Sequence, residues 1–256
     1  MNYFAPKEAA ERYAEGRPDV HAYSIDQVST YLQLDQKLDR VLDIACGTGL
    51  STKALLAIGE RVYGTDISEE MLALAPGKDV IRYYVSAAEL QPFTDHFFDL
   101  ITVSSGVHWF DIDRFLREAC RILKSRSWLV LYENYFDAVL VGVPAFKEWF
   151  TDVHFTRFPT PPRNNRYDWS NENLETKGLH LTEELRSSYA IPMTKKQLAL
   201  YLTTQSNVIA KVEGGQLRYK DVLSWLDDAL DGFFSGEEGS RMVNFGNWIK
   251  FIRRID

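Results

Sequence analysis

A buried strand that runs into a glycine turn and then a helix constrains this chain more than any other stretch. Residues 41–45 form a short apolar run typical of a fully buried strand. Gly47 and Gly49 follow, and apolar residues then recur at helical spacing from Leu50 to Ile58. Glycine allows a tight turn and a close approach to a ligand, and the helix N-terminus beyond it offers N–H groups to an anion. The stretch predicts a site for a nucleotide-like cofactor.

Strands and helices alternate on both sides of this turn. The predicted strands are 41–45, 61–66, 80–85, 98–104 and 127–133, and the predicted helices between them are 50–58, 69–75 and 111–123. This alternation predicts βαβ units and a parallel sheet covered on both faces. Beyond residue 134 the sequence predicts helices over 144–155, 195–208 and 219–234, a loop over 156–170 and strands near 182–190 and 242–252.

Composition excludes several classes of protein. The chain has 256 residues and a net charge of −7, which argues against a nucleic-acid substrate because phosphate binding draws on clustered Lys and Arg. No apolar run reaches the ~18 residues of a membrane span, so no membrane association is expected. Cys46 and Cys120 give neither a disulfide framework nor a zinc spacing, so no metal is predicted. With no secretory signal visible at the N-terminus, the predicted location is cytoplasmic.

The glycine turn itself separates two classes of cofactor. Thr52 stands where the dinucleotide fingerprint requires its third glycine, which leaves a nicotinamide-dependent enzyme as the weaker alternative. Asp43 lies four residues ahead of Gly47 and supplies a negative charge that suits a cationic ligand. Asp66 ends the next predicted strand, beside the turn, where a carboxylate can accept two hydrogen bonds from a ribose diol.

Four segments carry a resemblance to a known family, and they are residues 13–18, 43–49, 66–72 and 86–101. Residues 43–49, Asp-Ile-Ala-Cys-Gly-Thr-Gly, resemble motif I of class I S-adenosylmethionine-dependent methyltransferases. Residues 86–101 resemble the subfamily called methyltransferase domain type 11, and residues 13–18 resemble the lead-in of trans-aconitate-methyltransferase-like proteins. The resemblance implies an α/β fold with a Rossmann-like seven-stranded sheet, mostly parallel with one antiparallel edge strand, helices on both faces and a helical cap.

The resemblance also implies a set of residues that bind S-adenosyl-L-methionine. Asp66 would bind the ribose, and Ile67 and Met71 would flank the adenine. Ala87 stands where the family often has an Asp that contacts adenine, so backbone groups of Ala87 and Ala88 are expected to serve instead. The other predicted cofactor contacts are Tyr13, Arg17, Asp43, Ala45, Gly47, Thr48, Gly49, Glu89 and Ser104, of which Glu89 is as readily interpreted as a loop-capping acid.

The substrate side is predicted to follow the strand at 98–104, because ligands of open α/β sheets bind outside the carboxyl ends of strands. His108 is the predicted catalytic residue. The sequence leaves three roles open for it: a general base, a hydrogen-bond donor to substrate, or a packing residue beside Trp109. Trp109, Arg163 and Arg166 are the predicted substrate contacts, because guanidinium groups match carboxylates. A solvated loop is the alternative interpretation of the two arginines.

The predicted function is therefore S-adenosylmethionine-dependent methyl transfer to a small molecule, with O-methylation of a carboxylate as one candidate. The alternatives are a protein or RNA substrate and a cofactor-binding protein without turnover. The sequence does not indicate an oligomeric state. One methyltransferase domain is predicted over 1–256, made of lid helices in 1–35, a cofactor-binding core in 36–134, cap insertions in 135–180 and 192–236, and final strands in 181–191 and 239–254.

Overall fold

The computed structural model describes residues 7–160, 166–234 and 239–256. Within these residues the strands are β1 (Leu38–Ile44), β2 (Gly59–Asp66), β3 (Ile81–Val85), β4 (Phe98–Ser104), β5 (Leu123–Leu140), β6 (Leu179–Thr194) and β7 (Ser240–Arg254). These strands form one sheet in the order β3-β2-β1-β4-β5-β7-β6. From β1 the chain adds β2 and β3 on one side, and it then returns to add β4 and β5 on the other side. The strand order therefore reverses at β1, which leads into the glycine turn.

Helices connect the strands. They are α1 (Lys7–Gly16), α2 (His21–Tyr31), α3 (Leu50–Ala54), α4 (Glu69–Ala73), α5 (Ile112–Ile122), α6 (Ala145–Trp149), α7 (Phe155–Arg157), α8 (Asn171–Glu175), α9 (Lys195–Thr203), α10 (Ser206–Glu213) and α11 (Tyr219–Phe234). Short 3-10 helices add Leu55–Ala57 after α3 and Val107–Trp109 after β4. The α5 helix begins where Asp111 accepts the Arg114 N–H, the N-cap arrangement that satisfies a free donor of the first turn.

The sheet is parallel except near one edge. The strand pairs β1–β2, β1–β4, β2–β3 and β4–β5 are all parallel. Val141 donates its N–H to the Met242 carbonyl, and Asn247 lies against the Glu133 carbonyl, so rising numbers in β5 meet falling numbers in β7. The predicted fold class is confirmed with one refinement: the antiparallel strand is β7, and β6 lies outside it at the edge.

The chain divides into two compact units. Among the described residues, the larger unit contains 19–134, 166–186 and 247–256, and the smaller unit contains 7–18, 135–160, 187–234 and 239–246. Each of the three long strands β5, β6 and β7 contributes residues to both units. The division into lid, core and cap segments expected from the sequence remains a prediction.

The core of the larger unit lies on both faces of the sheet. Along β1, Val41 packs with Ile25 and Val28 of α2 on one face, whereas Leu42 packs with Phe115 of α5 on the other. Alternate residues of one strand are thus buried on opposite sides. This explains why the strands of this unit are near-continuous apolar runs in the sequence.

The smaller unit has a core of its own, rich in aromatic side chains. Its α9 helix begins with the predicted capping box, in which Thr194 and Gln197 satisfy each other's backbone N–H groups. The predicted helix over 195–208 is wrong in extent, because the helix stops at Thr203 and α10 begins at Ser206. Gln205 has extended backbone angles and the Asn207 amide donates to the Phe158 carbonyl at 2.7 Å, so the chain restarts as a separate helix.

The helix predicted over 144–155 is interrupted. Phe150–His154 form a π-helix between α6 and α7, and helix continues to Arg157 into the predicted loop. The wider turn stacks the His154 ring on Phe150, with centroids 4.5 Å apart and planes 10° apart.

Three predicted strands are too short at both ends. The strand at 127–133 extends over Leu123–Leu140, the strand at 182–190 over Leu179–Thr194, and the strand at 242–252 over Ser240–Arg254. The reason lies in sheet order, because β7 separates β5 from β6 and gives each of them a partner along its length. A pattern read within one segment does not reveal a partner more than 50 residues away.

Candidate functional site

The glycine turn leaves β1 through three residues with positive φ angles. Ala45 has φ 56°, Gly47 55° and Gly49 76°, a region that favours glycine. A Cβ on Gly49 would lie 2.6 Å from the Tyr83 hydroxyl, so this position has no room for a side chain. The α3 helix that follows has only the five residues Leu50–Ala54. The backbone of the turn, rather than the dipole of a long helix, therefore defines this part of the site.

Asp43 lies beneath the turn and is fully buried. The Ser51 and Thr52 hydroxyls donate to its Oδ2 at 2.6 and 2.8 Å, and the Thr102 hydroxyl donates to its Oδ1 at 2.9 Å. Burial raises the pKa of Asp43 to about 6, although the three hydroxyl groups oppose that shift. Because its oxygens face these hydroxyls, Asp43 contributes a buried charge and a fixed turn rather than a surface contact.

Asp66 joins the end of β2 to the turn. Its Oδ2 accepts the Gly47 N–H at 2.8 Å, and its Oδ1 accepts the Ser68 N–H at 2.9 Å. Burial raises the pKa of Asp66, and these backbone N–H groups counteract part of that rise. Each carboxylate oxygen retains a second lone pair. The side chain is thus held in place while it can still accept hydrogen bonds from a diol.

The predicted adenine contacts differ in exposure. Ile67 is 66% exposed beside Asp66, whereas Met71 is buried and its Cε would lie 3.2 Å from a Cβ placed on Gly47. An exposed isoleucine next to a fixed carboxylate is a surface on which a flat ring can pack. Met71 contacts the turn at Gly47, and the contacts of Ile67 and Met71 with adenine remain predictions.

The segment after β3 is fixed by side-chain hydrogen bonds. The Ala87 carbonyl accepts from the Gln91 amide at 2.8 Å, and Ala88 is buried. Glu89 accepts the Asp111 N–H at 2.8 Å, which attaches this segment to the start of α5. This contact agrees with the loop-capping interpretation of Glu89, and a contact between Glu89 and cofactor remains a prediction.

The residues after β4 lie at the same edge of the sheet. Ser104 ends β4, Ser105 has φ 56°, and the 3-10 helix Val107–Trp109 follows. The His108 and Trp109 rings lie 4.8 Å apart, with His108 half-buried and Trp109 44% exposed. The structure therefore brings Asp43, Ala45, Gly47, Thr48, Gly49, Asp66, Ile67, Met71, Ala87, Ala88, Glu89, Ser104, His108 and Trp109 into the larger unit, mostly at the carboxyl ends of β1, β2 and β4.

The remaining predicted residues have other surroundings. Tyr13 and Arg17 belong to the smaller unit, where the Arg17 guanidinium lies over the Tyr13 ring at 4.6 Å and donates to the Thr204 carbonyl at 3.0 Å. Arg166 is exposed in the larger unit, and Arg163 lies outside the described residues. The roles assigned to these four residues remain predictions.

Sequence reasoning missed the partners of Asp43. Thr52 was recognised only as a departure from the dinucleotide pattern, and Thr102 only as part of a strand. A signal was available, because Asp43 and Thr102 lie in strands predicted to meet at one edge, and a buried carboxylate requires donors. The register confirms this proximity, since Asp43 pairs directly with Thr102 across β1 and β4.

This arrangement fits an adenosine ligand with a cationic end. The turn admits no side chain at Gly49, Asp66 offers acceptors to a diol, and Asp43 places negative charge below the turn. Across the described ranges, no group of three acidic, histidine or cysteine side chains could hold a metal ion. Those same ranges contain no helix with the length and apolar character of a membrane span.

Comparison with known proteins agrees with this geometry. Residues 42–131 match the sequence model of a family described as methyltransferase domain. A protein of Dictyostelium discoideum named as a methyltransferase is 26% identical over 220 residues, which cover 82% of this chain and 80% of that protein. The demethylmenaquinone methyltransferase of Clavibacter sepedonicus is 36% identical over 100 residues, but the match covers only 37% of this chain and 41% of that enzyme.

A solved structure extends the comparison to nearly the whole fold. A protein of Anaeromyxobacter dehalogenans described as a type II methyltransferase superposes with a TM-score of 0.65 and 22% identity. The match covers 98% of this chain and 97% of that chain. The seven-stranded architecture is therefore shared along the length of both chains.

Proposed function

Since this chain is a class I S-adenosylmethionine-dependent methyltransferase, we propose that it transfers the methyl group to a small molecule. The observation that carries the proposal is the acidic character of the site. Asp66 lies beside the glycine turn and Glu89 in the segment after β3, and Asp43 adds a buried acid beneath the turn. Binding an RNA phosphodiester backbone draws on clustered Lys and Arg, so these acids together with the net charge of −7 disfavour RNA.

The cofactor supplies an activated methyl group, and the residues of this chain would hold the cofactor in place. Asp66 is the ribose acceptor, already fixed by the Gly47 and Ser68 N–H groups. Asp43 holds the turn and contributes the charge that suits a cationic ligand. Ile67 packs against the base. Fixed geometry of this kind supplies much of the rate of a displacement reaction, so His108 need not act as a base.

The names of relatives support a small acceptor. The matched part of the Clavibacter enzyme belongs to a protein named for demethylmenaquinone, a small molecule. A carboxylate acceptor rests on the trans-aconitate-like resemblance and on Arg163 and Arg166. Arg166 is exposed, so this narrower substrate class has less support than the broader one. The trans-aconitate-like subtype, contacts of Tyr13 and Arg17 with cofactor, and a cytoplasmic location remain predictions.

The test is an acceptor search with a labelled cofactor. The protein is incubated with methyl-labelled S-adenosylmethionine and a desalted small-molecule extract, and products are separated by mass. We expect labelled products below about 1 kDa, formed together with S-adenosylhomocysteine. The control is Asp66→Asn, which should lower both signals together when S-adenosylmethionine is held below saturation.

Two outcomes would contradict the proposal. Label that appears only in protein or RNA from an undesalted extract would assign a macromolecular substrate. Saturable cofactor binding without any labelled acceptor would favour a cofactor-binding protein without turnover.

A further inference from the structure

Glu133 lies in β5, level with the carboxyl end of β4. It is not one of the predicted site residues. Ser104, the last residue of β4, pairs with Tyr132 of β5, and the Ser105 N–H donates to the Tyr132 carbonyl at 2.9 Å. Glu133 is therefore the first residue of β5 beyond its ladder with β4. It lies at the edge where β1 and β4 end and the ligand of such a sheet binds.

The Glu133 carboxylate is fixed from the neighbouring strand β7. The Trp248 indole N–H donates to its Oε2 at 3.1 Å, and the Asn247 amide donates to its backbone carbonyl at 3.3 Å. Asn247 also donates to Asn134 and Ser24, each at 3.0 Å. This buried polar group ties the backbone of β5 to β7 and α2. Glu133 is thus held by its side chain and its main chain.

The charge of Glu133 has no cationic partner among the residues that the structure describes. Lys250 lies 5.9 Å from the Trp248 ring, but it pairs with Glu184. Glu133 is half-buried, and its carboxylate accepts a hydrogen bond from the neutral indole of Trp248. A partly desolvated carboxylate gains most from a charged or strongly donating partner.

We propose that Glu133 selects the methyl acceptor by accepting a hydrogen bond from its N–H or O–H group. Asp66 on β2 is the ribose contact of the proposed function, on which this inference rests. The reacting end of the site then lies on the opposite side of the turn, toward β4 and β5. These strands are one and two strand spacings of ~4.8 Å from β1, which carries the turn. An amine or hydroxyl acceptor suits Glu133 there, whereas a carboxylate acceptor would meet like charge.

Two cofactor analogues test this without knowledge of the substrate. S-adenosylhomocysteine ends in a neutral thioether, whereas sinefungin carries an ammonium group in place of the methyl-bearing sulfur. Dissociation constants of both are measured by calorimetry for the wild type and for Glu133→Gln, whose amide oxygen can still accept the Trp248 N–H. We expect Glu133→Gln to weaken sinefungin roughly fivefold and to leave S-adenosylhomocysteine unchanged.

Two further variants make the test specific. Glu60 is exposed at the start of β2, so Glu60→Gln removes the same charge far from the carboxyl edge and should change neither constant. Trp248→Phe removes the N–H that orients Glu133 and should weaken sinefungin by a smaller factor. Such a result would make Trp248 a positioning residue that acts through Glu133. Its loss would change the ratio of the sinefungin and S-adenosylhomocysteine dissociation constants and leave S-adenosylhomocysteine binding itself unchanged.

The outcomes separate this inference from the function beneath it. An unchanged ratio in Glu133→Gln, with both analogues bound, overturns the role of Glu133 and leaves the methyltransferase intact. Lower thermal stability of Glu133→Gln with an unchanged ratio would assign Glu133 to the fold alone. Failure of the wild type to bind either analogue would overturn the proposed function, and this inference with it.

Discussion

Thr52 donates its hydroxyl to the Asp43 carboxylate at 2.8 Å. The residue that breaks the dinucleotide pattern is therefore the residue that helps to hold the acidic group of this site. Glycine at position 52 would leave Oδ2 of Asp43 with Ser51 as its only hydroxyl donor among the described residues. The departure from the dinucleotide pattern at Thr52 and the buried carboxylate of Asp43 therefore belong to one hydrogen-bonded arrangement.

Asp43→Asn should separate binding from stability. The pKa of Asp43 is raised from 3.8 to about 6, so ionisation above that pH costs folding free energy, up to about 3 kcal/mol for two pKa units. An amide removes that cost, so we expect unfolding temperature at about pH 7.5 to be maintained or raised. Affinity for S-adenosylhomocysteine should fall about tenfold because the turn loses its fixed charge.

The matched control is Asp79→Asn, at an exposed acid of the same unit. It should change neither quantity. Lower stability of Asp43→Asn together with unchanged affinity would contradict the assignment of a functional buried charge.

Cofactor affinity should also depend on pH through Asp43. The folded-state pKa of about 6 lies above the ordinary value, so the carboxylate becomes protonated as pH falls through about 6. We expect affinity for S-adenosylhomocysteine to decline there, measured by calorimetry between about pH 5 and 8. In Thr102→Val a donor to Oδ1 is lost, which raises the pKa further and shifts the decline to higher pH. An identical pH profile in the variant would exclude Asp43 as the titrating group.

His154 should make the smaller unit sensitive to acid. Its ring is fully buried against Phe150, and neither ring nitrogen has a hydrogen-bond partner among the residues described. Burial lowers the pKa of His154 from 6.5 to about 4, so the unfolded chain takes up a proton first as pH falls below 6.5. Stability is full above that pH and declines toward pH 4, by about 3 kcal/mol for the whole shift.

Urea unfolding at about pH 7.5 and 5 measures this effect. His154→Phe keeps the stacked ring without the titrating group, so its stability should change less between the two conditions. Equal losses in the wild type and the variant would show that other groups cause the acid sensitivity.

Gly246 should be intolerant of alanine for steric reasons. A Cβ at this position would lie 2.2 Å from the Tyr135 ring, which must then move. We expect Gly246→Ala to lower the free energy of unfolding by about 1–3 kcal/mol, measured by urea titration. Adding Tyr135→Ala should remove the additional penalty, and a double variant in which the two losses simply add would refute the clash.

Gly232 provides the comparison. It lies within α11, and a Cβ there would meet nothing within 4 Å. Gly232→Ala should raise stability by up to about 1 kcal/mol, because alanine favours a helix interior over glycine.

Much of the fold was predictable because local periodicity reports burial. Apolar runs such as 41–45 and 98–104 identified parallel strands, and the capping box at Thr194 identified the start of α9. The resemblance of residues 43–49 to class I methyltransferases is confirmed by the match over 42–131. The features that failed depend on distant partners. The first turn of α10 is held by the Asn207 amide, which donates to the Phe158 carbonyl, and the full length of β5 requires β7.

The candidate site was predictable in its residue types and less so in their partners. Asp43 and Asp66 were identified by position after strands, which topology brings together. The hydroxyls of Ser51, Thr52 and Thr102 were not, because a hydroxyl carries no periodic signal of its own. Glu133 likewise required the register between β4 and β5 and its contact with Trp248.

Calorimetric titration with S-adenosylhomocysteine and with NAD and NADP tests the central claim most directly. The account predicts saturable binding of S-adenosylhomocysteine, a loss of roughly tenfold or more in Asp66→Asn, and no binding of either dinucleotide. Binding of NAD or NADP, with none of S-adenosylhomocysteine, would contradict it.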